Sequence, residues 1–122
     1  MKALVIDDSR VMRTILTRLL VTMNFTVVQA GDGAEALQLL DDGAQPDVAL
    51  VDWNMPVMDG LTFIKRCRAN PDYRDLRLMM VTTESEQSQI ERALAAGAHE
   101  YVVKPFTEHD IAQKFERLGL GK

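Results

Sequence analysis

The stretch Val48-Ala49-Leu50-Val51-Asp52 is apolar at four successive positions and then stops at a carboxylate. An unbroken apolar run, rather than an alternating one, marks a strand covered on both faces, as in a parallel sheet. Working outward, Ala3–Ile6, Thr26–Ala30, Leu78–Thr82 and Tyr101–Val103 are the other strand candidates. Stretches of helical period separate them. In the first, Val11, Met12, Ile15, Leu16, Leu19, Leu20 and Met23 recur at i, i+3/i+4 spacing, with Arg10, Arg13, Thr14, Thr17 and Arg18 on the other face. A second helix is expected over Gly33–Asp42, opened by Asp32 with Glu35 three residues on. A third follows Asp59-Gly60 and buries Leu61, Ile64 and Cys67, and a fourth spans Ser85–Ala96 and stops at Gly97. The fifth starts at Thr107, with Asp110 three residues on, and presents Ile111, Phe115 and Leu118. Five βα units with short loops predict right-handed crossovers and an open sheet with helices on both faces, a three-layer α/β/α architecture.

The chain has 122 residues, 47% of them hydrophobic and 26% charged, which fits one soluble domain over residues 1–122 and excludes disorder. The fifth helix runs nearly to Lys122, so no output domain is expected. Fourteen Lys and Arg against eighteen Asp and Glu give a net charge of −4, with no basic tail, which speaks against nucleic acid as a partner. The single cysteine, Cys67, excludes an intrachain disulfide framework and suits a reducing compartment; it reads as an inert core thiol. The apolar run after Met1-Lys2 is too short for a signal peptide or membrane span, so a cytoplasmic location is expected.

In an open α/β sheet, chemistry collects outside the carboxyl ends of the strands, where strand order reverses. The first strand ends in Asp7-Asp8, the third in Asp52, the fourth in Thr82-Thr83 and the fifth in Lys104, while the second ends in the unreactive Ala30-Gly31. In the order 2-1-3-4-5 the four reactive ends are consecutive and the blank one lies at the edge. Two like charges about 4 Å apart repel by roughly 4 kcal/mol at an effective dielectric near 20. Three carboxylates therefore either keep protons or take a cation. Oxygen donors of this kind suit Mg²⁺. An acidic cluster, Mg²⁺, a lysine and a hydroxyl are the parts that hold a phosphoryl group in line with an attacking carboxylate.

On these residues the chain resembles a response-regulator receiver domain of bacterial two-component signalling, over essentially its whole length. Val5-Ile6-Asp7-Asp8-Ser9 matches the acidic pair of the family, and Val51-Asp52-Trp53-Asn54-Met55-Pro56-Val57-Met58-Asp59-Gly60 its phosphoacceptor segment. Val81-Thr82 matches the switch hydroxyl, and Tyr101-Val102-Val103-Lys104-Pro105-Phe106 the lysine segment. The chain is most similar to the stand-alone chemotaxis-type, CheY-like regulators. The resemblance implies a flavodoxin-like, doubly wound, five-stranded parallel sheet. It also implies a phosphorylation-activated switch rather than an enzyme. Asp52 takes the phosphoryl group from a sensor histidine kinase or phosphotransfer protein. Asp8, Asp52 and the main-chain carbonyl of Asn54 hold Mg²⁺, and Asp7 acts partly through water. Lys104 pairs with the phosphoryl group or the carboxylate, Thr82 bonds a phosphoryl oxygen, and Tyr101 repacks in response. A monomer is implied, with its downstream partner on the helix 4/strand 5/helix 5 face, including Glu86, Ile90, Tyr101, Val103 and Lys114. The Lys104-Pro105 bond is implied to be cis.

A phosphatase resembling the haloacid dehalogenase superfamily also uses an aspartyl phosphate and Mg²⁺. Those enzymes carry a second aspartate two residues after the nucleophile, where this chain has Asn54, which transfers no proton. Taken singly, Asp7-Asp8 reads as a helix cap, Thr82 as a strand-end hydroxyl and Tyr101 as half-buried filler; it is their joint placement that favours the site. His99 and His109 read as solvated, and the Arg10, Arg13 and Arg18 stripe as a solvated face or a kinase-docking surface. Ser85-Glu86-Gln87-Ser88 stands where motor-binding relatives carry lysines, which speaks against the flagellar motor as the target.

Overall fold

In a computed structural model, which describes residues 1–83 and 87–120, strands and helices alternate. They are β1 (Lys2–Ile6), α1 (Arg10–Thr22), β2 (Thr26–Ala30), α2 (Gly33–Asp41), β3 (Val48–Asp52), α3 (Gly60–Ala69), β4 (Arg77–Thr82), α4 (Gln87–Ala96), β5 (Glu100–Val103) and α5 (Glu108–Arg117). A 3₁₀ turn at Pro71–Tyr73 joins α3 to β4. All four strand pairings are parallel, in the order β2-β1-β3-β4-β5. The expected start of the fourth helix at Ser85, and Glu86 with it, lie outside the described residues.

The strand faces alternate into two cores, as a doubly covered sheet requires. Leu4, Ile6, Ala49, Val51, Leu78 and Met80 meet Ala36, Leu40, Phe63, Ile64, Cys67 and Ala93 of α2, α3 and α4. Ala3, Val5, Val48, Leu50, Met79 and Val81 meet Leu16, Leu20, Ile111 and Phe115 of α1 and α5. Cys67 is fully buried, and that burial pushes its thiol up to about 12, so it holds its proton.

Three expectations need correction. The apolar stripe of α1 is narrower than its sequence: Leu16 and Leu20 are buried, whereas Val11 is 70% and Ile15 46% exposed. Seven positions form two adjacent columns, and a helix lying on a sheet buries only one fully. Arg13 is not on a solvated face: it is half-buried, and its guanidinium donates to the Asp7 carbonyl at 2.6 Å and to Gln29 Oε1 at 3.2 Å. His99 is exposed by area, yet its Nδ1 accepts the Leu78 N–H at 3.1 Å while its own N–H donates to the Leu78 carbonyl at 2.8 Å. It thereby continues the β4–β5 ladder, and partial burial lowers its pKa.

Short side chains fix where helices meet strands. Gly60 opens α3 against the end of β3, and a Cβ there would stand 2.3 Å from the Asp52 carbonyl oxygen. Gly60→Ala is expected to lower stability by about 2 kcal/mol, because backbone must move to admit the methyl group. Urea unfolding measures it, and an unchanged midpoint would show that the β3–α3 junction yields freely.

Candidate functional site

The ladder register brings the polar strand ends to one level. Ile6 stands opposite Val51, so Asp7 and Asp52 each follow at the next step. Asp52 stands opposite Val81 and Thr82 opposite Val103, so Thr82 and Lys104 come next on their own strands. The Lys104 N–H donates to the Thr82 carbonyl at 2.7 Å, which locks the last two ends together. Lys104-Pro105 is cis, as the resemblance implies.

Asp7 is the most enclosed acid, only 2% exposed. Its Oδ1 accepts the Ser9 N–H at 2.9 Å, and its Oδ2 lies 3.2 Å from Lys104 Nζ. The same ammonium lies 3.5 Å from Asp52 Oδ1, and the Asp52 side chain is 12% exposed. Asp8 is exposed. One carboxylate oxygen from each of Asp7, Asp8 and Asp52 fits within a 4.8 Å spread. The helix-cap reading of the acidic pair does not hold. Ser9 caps α1, its hydroxyl accepting the Met12 N–H at 3.1 Å, which leaves the carboxylates facing the cleft.

Charge balance dominates this cluster. Burial, reinforced by the negative charge of Asp7 and more weakly of Asp8, pushes Asp52 up to about 6 against the opposing pull of Lys104. One cation among three acids leaves a net negative site of hard oxygen donors, which suits a small divalent cation such as Mg²⁺. Thr82 is buried at the end of β4, whereas Tyr101 on β5 is half-buried. Asn54 is exposed on the loop after β3. Trp53, Met55 and Met58 pack partly against the core under that loop, and Arg92 of α4 lies 5.9 Å from the Trp53 ring centre. A separate cleft of about 920 Å³ opens between the α2–β3 and α3–β4 loops, at the far end of the strands from Asp52.

Two features were missed in the sequence. Val57, 84% exposed, holds φ +66 on the β3–α3 loop, a costly conformation for a β-branched residue. Arg13 fixes the Asp7 carbonyl from α1, a contact that helical periodicity hides because it assigns arginine to the outside.

Residues 3–116 match the family described as response regulator receiver domain. The chain is 42% identical over 123 residues to the chemotaxis protein CheY homolog of Campylobacter jejuni, covering 99% of this chain and 95% of that one. A structure of the Vibrio cholerae chemotaxis protein CheY4 superposes with a TM-score of 0.87 at 34% identity, covering 96% of this chain and 97% of that one. A receiver domain of a Pseudomonas aeruginosa sensor histidine kinase, solved with a magnesium ion coordinated in its active-site cleft, superposes with a TM-score of 0.85 at 26% identity, covering 95% of this chain and 94% of that one.

In metal-free protein the folded state holds its Asp52 proton up to about pH 6, whereas the unfolded chain loses it near 3.8. The stability that Asp52 contributes by holding its proton is therefore full below pH 4 and is lost as pH rises through 6, on the order of 2 kcal/mol. Asp52→Asn is expected to melt about 5 °C higher than the parent at pH 7.5 in chelator, with the gap closing towards pH 4. Thermal scans across that range check it, and no gap at pH 7.5 would mean that Lys104 already offsets the repulsion.

Proposed function

The chain belongs to the response regulator receiver family of phosphorylation-dependent signalling proteins, and on that footing we propose that Asp52 is its phosphoacceptor. The observation that carries the reading is Lys104 Nζ set between Asp7 and Asp52, at 3.2 and 3.5 Å, with Asp8 completing the acidic group. The donor is a phosphohistidine of a sensor kinase or phosphotransfer protein. An Asp52 carboxylate oxygen attacks phosphorus, the P–N bond to the donor imidazole breaks, and its electron pair leaves with the nitrogen. Asp8, Asp52 and the main-chain carbonyl of Asn54 would hold Mg²⁺ directly, with Asp7 acting through water. When bound, that ion neutralises developing charge on the phosphoryl oxygens.

Lys104 then exchanges a carboxylate partner for a phosphoryl oxygen, and the Thr82 hydroxyl donates to another. Such a hydrogen bond is worth roughly 1.5–3 kcal/mol. Reversing a 1:99 equilibrium takes about 5.5 kcal/mol. Thr82 is therefore insufficient alone, and the Lys104 contact or a resting population of the active form supplies the remainder. The change leaves through β4 and β5 to Tyr101 and the α4–β5–α5 face, where a downstream protein binds. Asn54, two residues after Asp52, has an amide and not the acid that a phosphatase of dehalogenase type requires, so the phosphoryl state persists long enough to signal. The reading is of a monomeric cytoplasmic switch. Among the described residues no helix is long and apolar enough to cross a membrane.

Incubation with acetyl phosphate is expected to add one phosphoryl group by mass spectrometry, dependent on Mg²⁺ and absent in Asp52→Asn. Addition that persists in the mutant would remove Asp52 from the role. Thr82→Ala should still be phosphorylated, yet lose most of the amide chemical-shift change at Tyr101 and α4 caused by BeF₃⁻. Undiminished shifts there would exclude the Thr82 route.

A further inference from the structure

β5 is the edge strand of the sheet, so the ring of Tyr101 has a strand neighbour on one side only. On the core side the ring packs with the residues beneath α4. From α5 the Lys114 ammonium lies 4.6 Å from the ring centre. That ammonium is itself held, with Glu100 Oε1 at 3.3 Å. Both side chains are largely enclosed, Lys114 18% and Glu100 15% exposed, so solvent screens the pair only in part. Arg117, 58% exposed, reaches the other carboxylate oxygen of Glu100 at 3.5 Å. Glu100 thus stands immediately before Tyr101 in the chain, its Oε1 both paired with Lys114 and 3.4 Å from the Tyr101 backbone N–H.

We propose that Glu100 is a positioning residue of the switch: by anchoring Lys114 over the Tyr101 ring it holds that ring in the resting arrangement. The inference rests on the phosphorylation reading above and adds the group that sets the resting balance. An ammonium free to swing on four methylenes gains little from a ring face; one fixed by a carboxylate is already in place. Any movement of Tyr101 away from Lys114 forfeits the ring contact while the ion pair remains behind. The pair therefore biases the equilibrium towards the resting form, and the phosphoryl group must overcome that bias. Because coupling is reciprocal, a protein partner that draws Lys114 away from Glu100 also favours phosphorylation.

The test uses the full chain with ring-labelled tyrosine. There are two tyrosines, and Tyr73, bonded to Asp41 at the far end of the strands, serves as internal reference. In the parent, Mg²⁺ with BeF₃⁻ is expected to shift the Tyr101 ring signal and leave that of Tyr73 in place. In Glu100→Gln and in Lys114→Met the resting Tyr101 signal should already lie part of the way to the BeF₃⁻ position. Apparent BeF₃⁻ affinity should rise roughly two- to fivefold, the scale of one ring contact, since the ion pair is present in both arrangements. The double variant should match the single ones, since the two side chains act as a unit. Parent-like ring signals and affinities in both single variants, or an additive double variant, would overturn the latch. A parent whose Tyr101 signal ignores BeF₃⁻ would overturn the switch reading, and the latch with it.

Discussion

Repulsion among Asp7, Asp8 and Asp52 is the constraint around which the strand ends are arranged. Their oxygens fit within a 4.8 Å spread, and the two inner acids are nearly closed off from water. Burial removes the solvent that would screen them, so the repulsion is larger than at a surface. The fold answers with one cation, Lys104, carried on a different strand and bridging the two inner acids. One charge does not balance three. Burial first, and the charge of Asp7 next, raise the affinity of Asp52 for a proton, and a cluster of acids with one cation suits a divalent cation.

Holding such a cluster requires that no competing local structure consume it. Strand-end carboxylates are natural helix caps, and here that role is taken by others: Ser9 for α1, Asp32 for α2, Asp59 for α3 and Thr107 for α5. Asp7 instead spends one oxygen on the Ser9 N–H and the other on Lys104. Arg13 holds its carbonyl from above, so the backbone at the end of β1 is fixed from both sides. The missing side chain of Gly60 lets α3 begin directly against β3, which sets the position of the Asp52 backbone. Both cores reach this level through Ile6 and Val51 on one face and Val5 and Val81 on the other, so the site stands on packed strands rather than on loops alone.

On the proposed reading the signal leaves along the β5 edge of the sheet. β1, β3 and β4 have neighbours on both sides, whereas β5 has one. Thr82 and Lys104 are joined through the backbone, so a change at either is shared by the last two strands. Two residues before Val103, Tyr101 meets α5 through Lys114 rather than through a filled core. Tyr101 is half-buried, whereas the Phe63 ring has no exposure and is fixed by close packing.

Much of this was legible in the chain. Unbroken apolar runs ending in polar residues gave five parallel strands, and in the order 2-1-3-4-5 the four reactive ends are consecutive with the blank end of β2 at the edge. The acids, the hydroxyl and the lysine were picked out because strand ends are identifiable from hydropathy, and the structure brings Asp7, Asp8, Asp52 and Lys104 together. Other features depended on contacts between segments remote in sequence. Periodicity sent Arg13 to solvent, while the fold brought the Asp7 carbonyl and Gln29 within its reach. It admitted Val11 and Ile15 to the core, while the sheet had room for one column of α1. Nothing local marks Val57 for a left-handed backbone, His99 for the β4–β5 ladder or Glu100 for Lys114. The sequence by itself determined the fold and the members of the site, because both follow from which residues water excludes and in what order. Only the tertiary structure decided which acid is buried, which cation answers it and which ring stands against Lys114, because those depend on distances between segments remote in sequence.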